Sequence, residues 1–406
     1  MEKLAALGGK PVRDTQLYYG RQCIEEDDIK AVEEVLRGRL ITCGPHVEEL
    51  EKKLCEVAGA KYAVALSNGT AALHTACMAI GLKEGDEVIT TPMTFAASAN
   101  CARYCGATVV FADINPETYN IDPEEIERKI TPRSKAIVAV DFTGQAVEID
   151  RIRALCNQYH LYFIEDAAHS IGTKYNGRAV GSMADMTCFS FHPVKTVTSG
   201  EGGAVTTNDP KLYRKLVLYH MHGITHDAAW MKQEPAGHWY YEMLDLGYNY
   251  RMTDFQAALL QSQLNKLPRF SERRKEIVKY YDEQFSKTPE IILQKNIPQS
   301  DTTRHLYIIQ LRLEQLTCSR RQFFDAMSAE NICPQIHYIP VYYFPYYQQL
   351  GYKKGLCPNA EKMYEGIMSL PLYPSLTDLD TSDVVHAVKK IIYYYRKYQE
   401  GCYVAV

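Results

Sequence analysis

A chain of 406 residues exceeds the size at which one hydrophobic core stops growing, so two domains are expected. Its 45 basic and 49 acidic side chains leave a formal charge of −4 with no block of like charge, which argues against a nucleic-acid partner. No run approaches the ~18 apolar residues of a membrane span, and the opening MEKLAALGGKPVRD lacks the basic start and apolar stretch of an export signal, so a cytoplasmic protein is expected.

In chain order, Glu25 to Leu36 and His46 to Ala58 read as amphipathic helices, the second with Val47, Leu50, Leu54 and Val57 on one face and Gly59 as its stop. From residue 60 to 207, short β-branched runs (KYAVAL, DEVIT, ATVVFA, KAIVAV, LYFIED, MTCFSF, AVTT) alternate with helical segments opening at Gly69 and covering Thr94 to Tyr104, Asp122 to Ile130 and Glu148 to Tyr159. This pattern belongs to an α/β domain around a mostly parallel sheet. No long helix fits between Phe163 and Val205, so the last strands are joined by loops, where functional residues concentrate. Two helices, Asp254 to Leu267 and Glu272 to Phe285, leave this domain. A smaller C-terminal α+β unit follows, with a strand at His305 to Leu313, a helix at Arg320 to Ala329, a short strand at Gln335 to Tyr338 and a last helix from Ser382 to Tyr398. The expected division is 1–265, a large domain with its N-terminal segment, and 266–406, a small one.

Three segments carry chemistry. SNGTAAL, Ser67 to Leu73, follows a strand and opens a helix; Asn68 and Gly69 permit a tight turn with positive φ, and the exposed N–H groups from Thr70 onward make an anion site. Taken alone it is no more than a capped strand-to-helix turn, and it is neither GxGxxG nor GxxxxGKS. LYFIEDAAHS ends a buried strand in Glu165 and Asp166, then His169. A carboxylate at the carboxyl end of a parallel strand points into the crevice where ligands bind, and a protonated pyridine nitrogen would be a fitting partner. Strand alternation leaves open which of the two acids faces inward. In CFSFHPVKTVTSGEGGAVTT, Lys195 lies on a loop between a strand and the turn of Gly200, Gly202 and Gly203. A lysine held there can lose its proton through desolvation and a nearby cation, as Schiff-base chemistry requires.

SNGTAAL, TPMTFAAS, VDFTGQ, IEDAAHSIG, FSFHPVKTVTSGEGG and LGYNYRMTDFQAAL, in this order from about Gly38 to Leu264, resemble the DegT/DnrJ/EryC1/StrS family of nucleotide-sugar aminotransferases. The resemblance implies fold type I of the pyridoxal 5'-phosphate (PLP) enzymes, like aspartate aminotransferase. It implies that Lys195 holds PLP as a Schiff base, Asp166 pairs with the pyridinium nitrogen and His169 lies near the phenolic oxygen. Asn68, Gly69, Thr70 and Ser190 would hold the phosphate, Phe95 would stack on the ring, and Asn249 would reach the phosphate from the other subunit of a homodimer. HPVK, HGITHD, WYYEMLDLGYNYRM and QIHYIPVYYFPYY are similar to the branch of the family that uses glutamate to aminate a UDP-linked 4-keto-6-deoxy-N-acetylhexosamine. By that similarity Tyr18, the stretch Gly38, Arg39, Leu40 and Ile41, and His337 with Tyr338 contact the nucleotide-sugar.

Other features read as ordinary. The 12 cysteines lack a CxxC pair and read as reduced thiols, Cys101 and Cys105 as a buried helix face. His220, His222 and His226 have no acidic or cysteine ligand in register, so local contacts are expected and no metal. Arg251 is either a partner for the donor's carboxylate or half of an internal ion pair. An aminotransferase acting on another UDP-, dTDP- or GDP-linked keto-sugar is the nearest rival. The family's dehydratase branch carries histidine in place of the lysine, and a non-catalytic PLP-binding regulator has no need of Lys195, Asp166 and Thr70 together.

Overall fold

In the computed structural model, which describes residues 2–397, the β-branched runs form one seven-stranded sheet. Its strands are β1 (Tyr62–Leu66), β2 (Glu87–Thr90), β3 (Thr108–Phe111), β4 (Ser134–Val140), β5 (Tyr162–Asp166), β6 (Met186–Ser190) and β7 (Gly203–Thr207). They lie in the order β1-β7-β6-β5-β4-β2-β3, with β7 antiparallel to β1 and β6 and the other pairs parallel. The carboxyl ends of β1, β4, β5 and β6 therefore reach the same edge of the sheet, the edge at which such folds bind ligands.

The helices of this domain are α1 (Glu26–Arg37), α2 (Pro45–Ala58), α3 (Gly69–Ala79), α4 (Ala97–Tyr104), α5 (Pro123–Lys129), α6 (Ile149–Tyr159) and α7 (Pro210–His220). Helix α7 was not expected, although its start is encoded: Asp209 accepts hydrogen bonds from the amides of Lys211 and Leu212, and Pro210 takes the first helical position.

The long connection differs from the two helices expected there. It is one 32-residue helix, α8 (Asp254–Phe285), with Pro268 inside it. A proline in a helix interior costs about 3 kcal/mol. Against that, Leu264, Leu267 and Phe270 are buried in the sheet domain's core and Ile277, Val278, Tyr281 and Phe285 in the second core, at roughly 1.5–3 kcal/mol for each side chain. Continuity wins because breaking the rod would uncover one or the other set.

The second unit holds an antiparallel sheet of β8 (Ile291–Leu293), β9 (Tyr307–Leu311) and β10 (Ile367–Leu370), with α9 (Arg320–Ala329), α10 (Pro345–Gln349), α11 (Pro358–Gly366) and α12 (Asp378–Tyr395). Leu4 and Leu17 from the N-terminal segment join this core beside Tyr281, Ile332 and Val388, while Val341, Tyr342, Tyr347 and Met363 pack into the sheet domain's cluster. Each end of the chain thus clasps the other unit. The expected strand at Gln335 to Tyr338 is absent; Ile332–Cys333 pairs with Leu17–Tyr18 instead, and only Gln335 bridges to Ser369. Pro334 and Pro340 bracket the segment and lack the N–H a ladder needs. Helix α12 starts four residues before Ser382 because Thr377 and Asp380 form a capping box, and its expected end at Tyr398 lies outside the described residues. Among the described residues no helix is long and apolar enough to cross a membrane.

Candidate active site

A cavity of about 910 Å³ opens where β1, β4, β5 and β6 end, within the range that holds small ligands. Asn68, Val140, Asp166, Ser190 and Lys195 all line it.

At the head of α3, Asn68 is extended (φ −169°) and its Oδ1 accepts from the amide of Ala71 at 2.8 Å. The amides of Gly69 and Thr70, at the first two helical positions, have no intrahelical acceptor, and both residues face the cavity. The positive φ expected here does not occur. Glycine is needed for proximity: a Cβ on Gly69 would lie 2.8 Å from Cβ of Ser190, and one on Gly203 would lie 2.3 Å from the carbonyl oxygen of Asn68. The turn is a cradle pressed against the end of β6, and it suits a phosphate.

Of the two acids ending β5, Asp166 turns into the cavity, beside Val140 and Cys188 in register, while Glu165 faces the opposite side and takes a hydrogen bond from Thr187 at 2.9 Å. Asp166 is buried. Its Oδ2 accepts from Ser98 Oγ at 2.5 Å and its Oδ1 from the amide of Ala168 at 3.1 Å. Burial pushes its carboxyl above the usual carboxylate range in spite of these bonds. No salt bridge reaches it among the described residues. A buried carboxylate in this state is stabilised by a cation brought in with a ligand, which is what a protonated pyridine nitrogen offers.

Lys195 follows β6 on a loop whose amides fold back, Lys195 N to His192 O at 2.9 Å and Ser199 N to Phe191 O at 3.0 Å, with Gly200 at φ 81° closing the turn. Burial brings its amine down to about 8, and the Asp166 carboxylate opposes that shift. The expected helping cation is therefore replaced by desolvation alone.

The far wall comes from distant parts of the chain. His169 Nε2 lies 3.1 Å from the hydroxyl of Tyr338, and its Nδ1 is buried without a partner among the described residues. The ring of His305 sits 4.5 Å from that of His169, also with a buried, unpartnered Nδ1. Arg274 of α8 donates to the carbonyls of His305 at 3.2 Å and Leu372 at 2.9 Å, which ties this wall to the long helix. His337 lines the cavity with its Nδ1 at 2.8 Å from Ser369 Oγ. On the other side stand His74 and Tyr250, joined at 3.1 Å, with Tyr248 stacked on Tyr250. His74, Ser98, Tyr248, Tyr250 and His305 are not marked as site residues by the sequence, although Ser98 lies within TPMTFAAS and Tyr248 and Tyr250 within LGYNYRMTDFQAAL. Tyr19 lines the cavity, whereas its neighbour Tyr18 does not.

Phe95 borders the cavity with 63% of its surface exposed. Gly38, Arg39, Leu40 and Ile41 are exposed on the turn after α1, away from the cavity of the single chain, and so is Asn249, although both its neighbours, Tyr248 and Tyr250, line it. Arg251 bridges Leu66 through its backbone, next to the α3 cradle. The three histidines of HMHGITH do not converge: His220 Nδ1 meets the carbonyl of Val217 at 2.8 Å, and the ring of His226 lies 5.3 Å from that of Tyr241.

The sequence profile of the DegT/DnrJ/EryC1/StrS aminotransferase family matches residues 22–389. The chain is a member of that family. It is 41% identical over 382 residues to the spore coat polysaccharide biosynthesis protein SpsC of Bacillus subtilis, covering 94% of this chain and 98% of that one. It is 38% identical over 377 residues to the UDP-4-amino-4,6-dideoxy-N-acetyl-β-L-altrosamine transaminase of Campylobacter jejuni 81-176, covering 92% and 97%. Among solved structures it is similar to Helicobacter pylori PseC, an aminotransferase involved in the biosynthesis of pseudoaminic acid, at 33% identity and a TM-score of 0.87, covering 94% of this chain and all of that one. This family member is accordingly a PLP-dependent aminotransferase of fold type I. The cradle, the cation-seeking carboxylate and the amine with a lowered pKa fit that cofactor.

Proposed function

We propose that this enzyme moves the amino group of L-glutamate to the 4-keto carbon of a UDP-linked 4-keto-6-deoxy-N-acetylhexosamine. The product is UDP-4-amino-4,6-dideoxy-N-acetyl-β-L-altrosamine, on the way to pseudaminic acid. The observation that carries the reading is one cavity holding Lys195, Asp166 and the α3 cradle, in a chain so like the Campylobacter transaminase along its length. The enzyme works in the cytoplasm as a homodimer with shared sites.

Bound PLP supplies a carbonyl carbon for amines and an electron sink. Lys195 would attach it through Nζ; Asn68, Gly69, Thr70 and Ser190 would hold its phosphate; Asp166 would pair with its ring nitrogen; His169 would lie near its phenolic oxygen; Phe95 would stack on its ring. Asn249, exposed in the single chain, would reach the phosphate bound by the other subunit of the homodimer. With donor and cofactor bound, the Lys195 amine would take a proton from the donor's α-carbon at Nζ and deliver it to the cofactor, a task suited to an amine brought down to about 8. Ser98 and the amide of Ala168 keep Asp166 aimed. His337 and Tyr338 inside the cavity, with Tyr18 and Gly38 to Ile41 outside the cavity of the single chain, would take the nucleotide-sugar.

The test supplies the purified enzyme with PLP, glutamate and either the UDP-linked keto-sugar or a dTDP-linked 4-keto-6-deoxyhexose, with mass spectrometry of the products. Amination of the UDP-sugar with release of 2-oxoglutarate supports the proposal. Amination of the dTDP-sugar alone would replace it with the rival specificity.

A further inference from the structure

His337 reaches the cavity from a segment without regular structure, packed against the rings of Tyr19 and Tyr338, and among the described residues its side chain has one hydrogen-bond partner. That partner is Ser369, in β10, whose backbone exchanges hydrogen bonds with Gln335 at 2.7 and 3.1 Å. Ser369 is 1% exposed and His337 8%. The Ser369 hydroxyl lies 2.8 Å from Nδ1 of His337 and has no other hydrogen-bond partner among the described residues.

A hydroxyl carries one proton and lone pairs to spare. If Ser369 accepted a bond from His337, its own proton would be stranded in a buried place, which protein interiors avoid. If it donates to Nδ1, both groups are satisfied. Burial and the nearby Lys195 bring the His337 imidazole down to about 3, so the ring carries a single ring N–H at neutral pH and the choice between its two nitrogens is a real one.

We propose that Ser369 is a positioning residue that donates its hydroxyl proton to His337 Nδ1 and so fixes the Nε2–H tautomer, turning an uncharged hydrogen-bond donor toward an oxygen of the acceptor sugar. For the identity of that ligand the proposal rests on the functional reading above. An uncharged donor has a purpose here: a lysine or arginine in its place would set a permanent cation near Lys195 and hold that amine's pKa lower still.

The test uses PLP-loaded enzyme labelled with ¹⁵N-histidine and long-range ¹H–¹⁵N spectra, with His337 assigned by its loss in His337→Gln. The wild type is expected to show a protonated Nε2 and a bare Nδ1. Ser369→Ala should mix or reverse this pattern and raise KM for the keto-sugar about tenfold, with the glutamate half-reaction within about twofold of wild type. Ser369→Thr, which keeps the hydroxyl, should keep the tautomer. A wild-type spectrum with the proton on Nδ1 overturns the proposal, even if Ser369→Ala does not fold. So does a folded Ser369→Ala with an unchanged tautomer. Failure of the wild type to turn over any UDP-linked keto-sugar would count against the functional reading instead, because the tautomer is read without substrate.

Discussion

The cavity has two unlike halves. One is built from strand ends and the turns directly after them, Asn68 to Thr70, Asp166, and Ser190 to Lys195, so the sheet itself sets the spacing of its groups. The other is assembled from residues 19, 248, 250, 305 and 337–338, which meet only after the second unit and the N-terminal segment have packed. The contrast matches the division of labour in the reaction: the cofactor is the same in every turnover and suits a rigid seat, whereas the sugar is the variable partner and is met by loops.

Changes in the rigid half should act on chemistry, and the largest is expected from Asp166→Asn. The amide still fits Ser98 and Ala168, so the fold should survive, while the glutamate half-reaction slows roughly 10²- to 10³-fold in stopped-flow measurement. An equal loss of cofactor binding with no change in rate would place Asp166 in a merely structural role.

Next comes the pH dependence of cofactor attachment. Lys195 attacks as a neutral amine, and its pKa is lowered to about 8. Its neutral fraction therefore rises with pH, about 50-fold between pH 6 and 8, and flattens above about pH 9. An ordinary lysine would keep climbing to about pH 10. Because Asp166 holds the ammonium form, Asp166→Asn should move the bend below 8. Apoenzyme titrated with PLP across this range checks both the position and the direction.

Gly69→Ala sharpens the claim that the cradle depends on proximity. Its Cβ would press on Ser190 at 2.8 Å, so PLP affinity should fall about tenfold to a hundredfold by fluorescence titration, with little change in Tm. The smallest effect belongs to the loop-built half. If Asn249 serves the neighbouring site, Lys195→Ala and Asn249→Ala subunits mixed and allowed to exchange should regain about a quarter of wild-type sites, since half the dimers carry one intact site. No recovery would mean that each subunit is complete in itself.

The same division decided what could be read in the sequence. All seven strands of the large sheet and the helices between the first five stand out, because a β-branched run and an apolar helical face are local signals. The proposed seat of the cofactor is local too, each group lying within a few residues of a strand end. Even there, geometry altered the reasons: Gly69 is needed for its closeness to Ser190, and Lys195 is tuned by burial without a cation. Which of Glu165 and Asp166 faces inward was hidden, since a central strand buried on both faces has no polar side to betray its register. The single helix through Pro268 was hidden because two separate cores outweigh the local penalty. His305 and Ser369 carried no signal at all, as each matters only through a ring brought to it by folding.

The central claim is that Lys195 carries the cofactor and passes amino groups through it. The most direct measurement follows the visible spectrum of PLP-loaded wild type and Lys195→Ala, first with glutamate and then with the UDP-linked keto-sugar. The account predicts a lysine-dependent cofactor band in wild type that glutamate abolishes and the keto-sugar restores, neither change occurring at a comparable rate in the variant. A band that forms equally without Lys195, or one that glutamate leaves untouched, would contradict it.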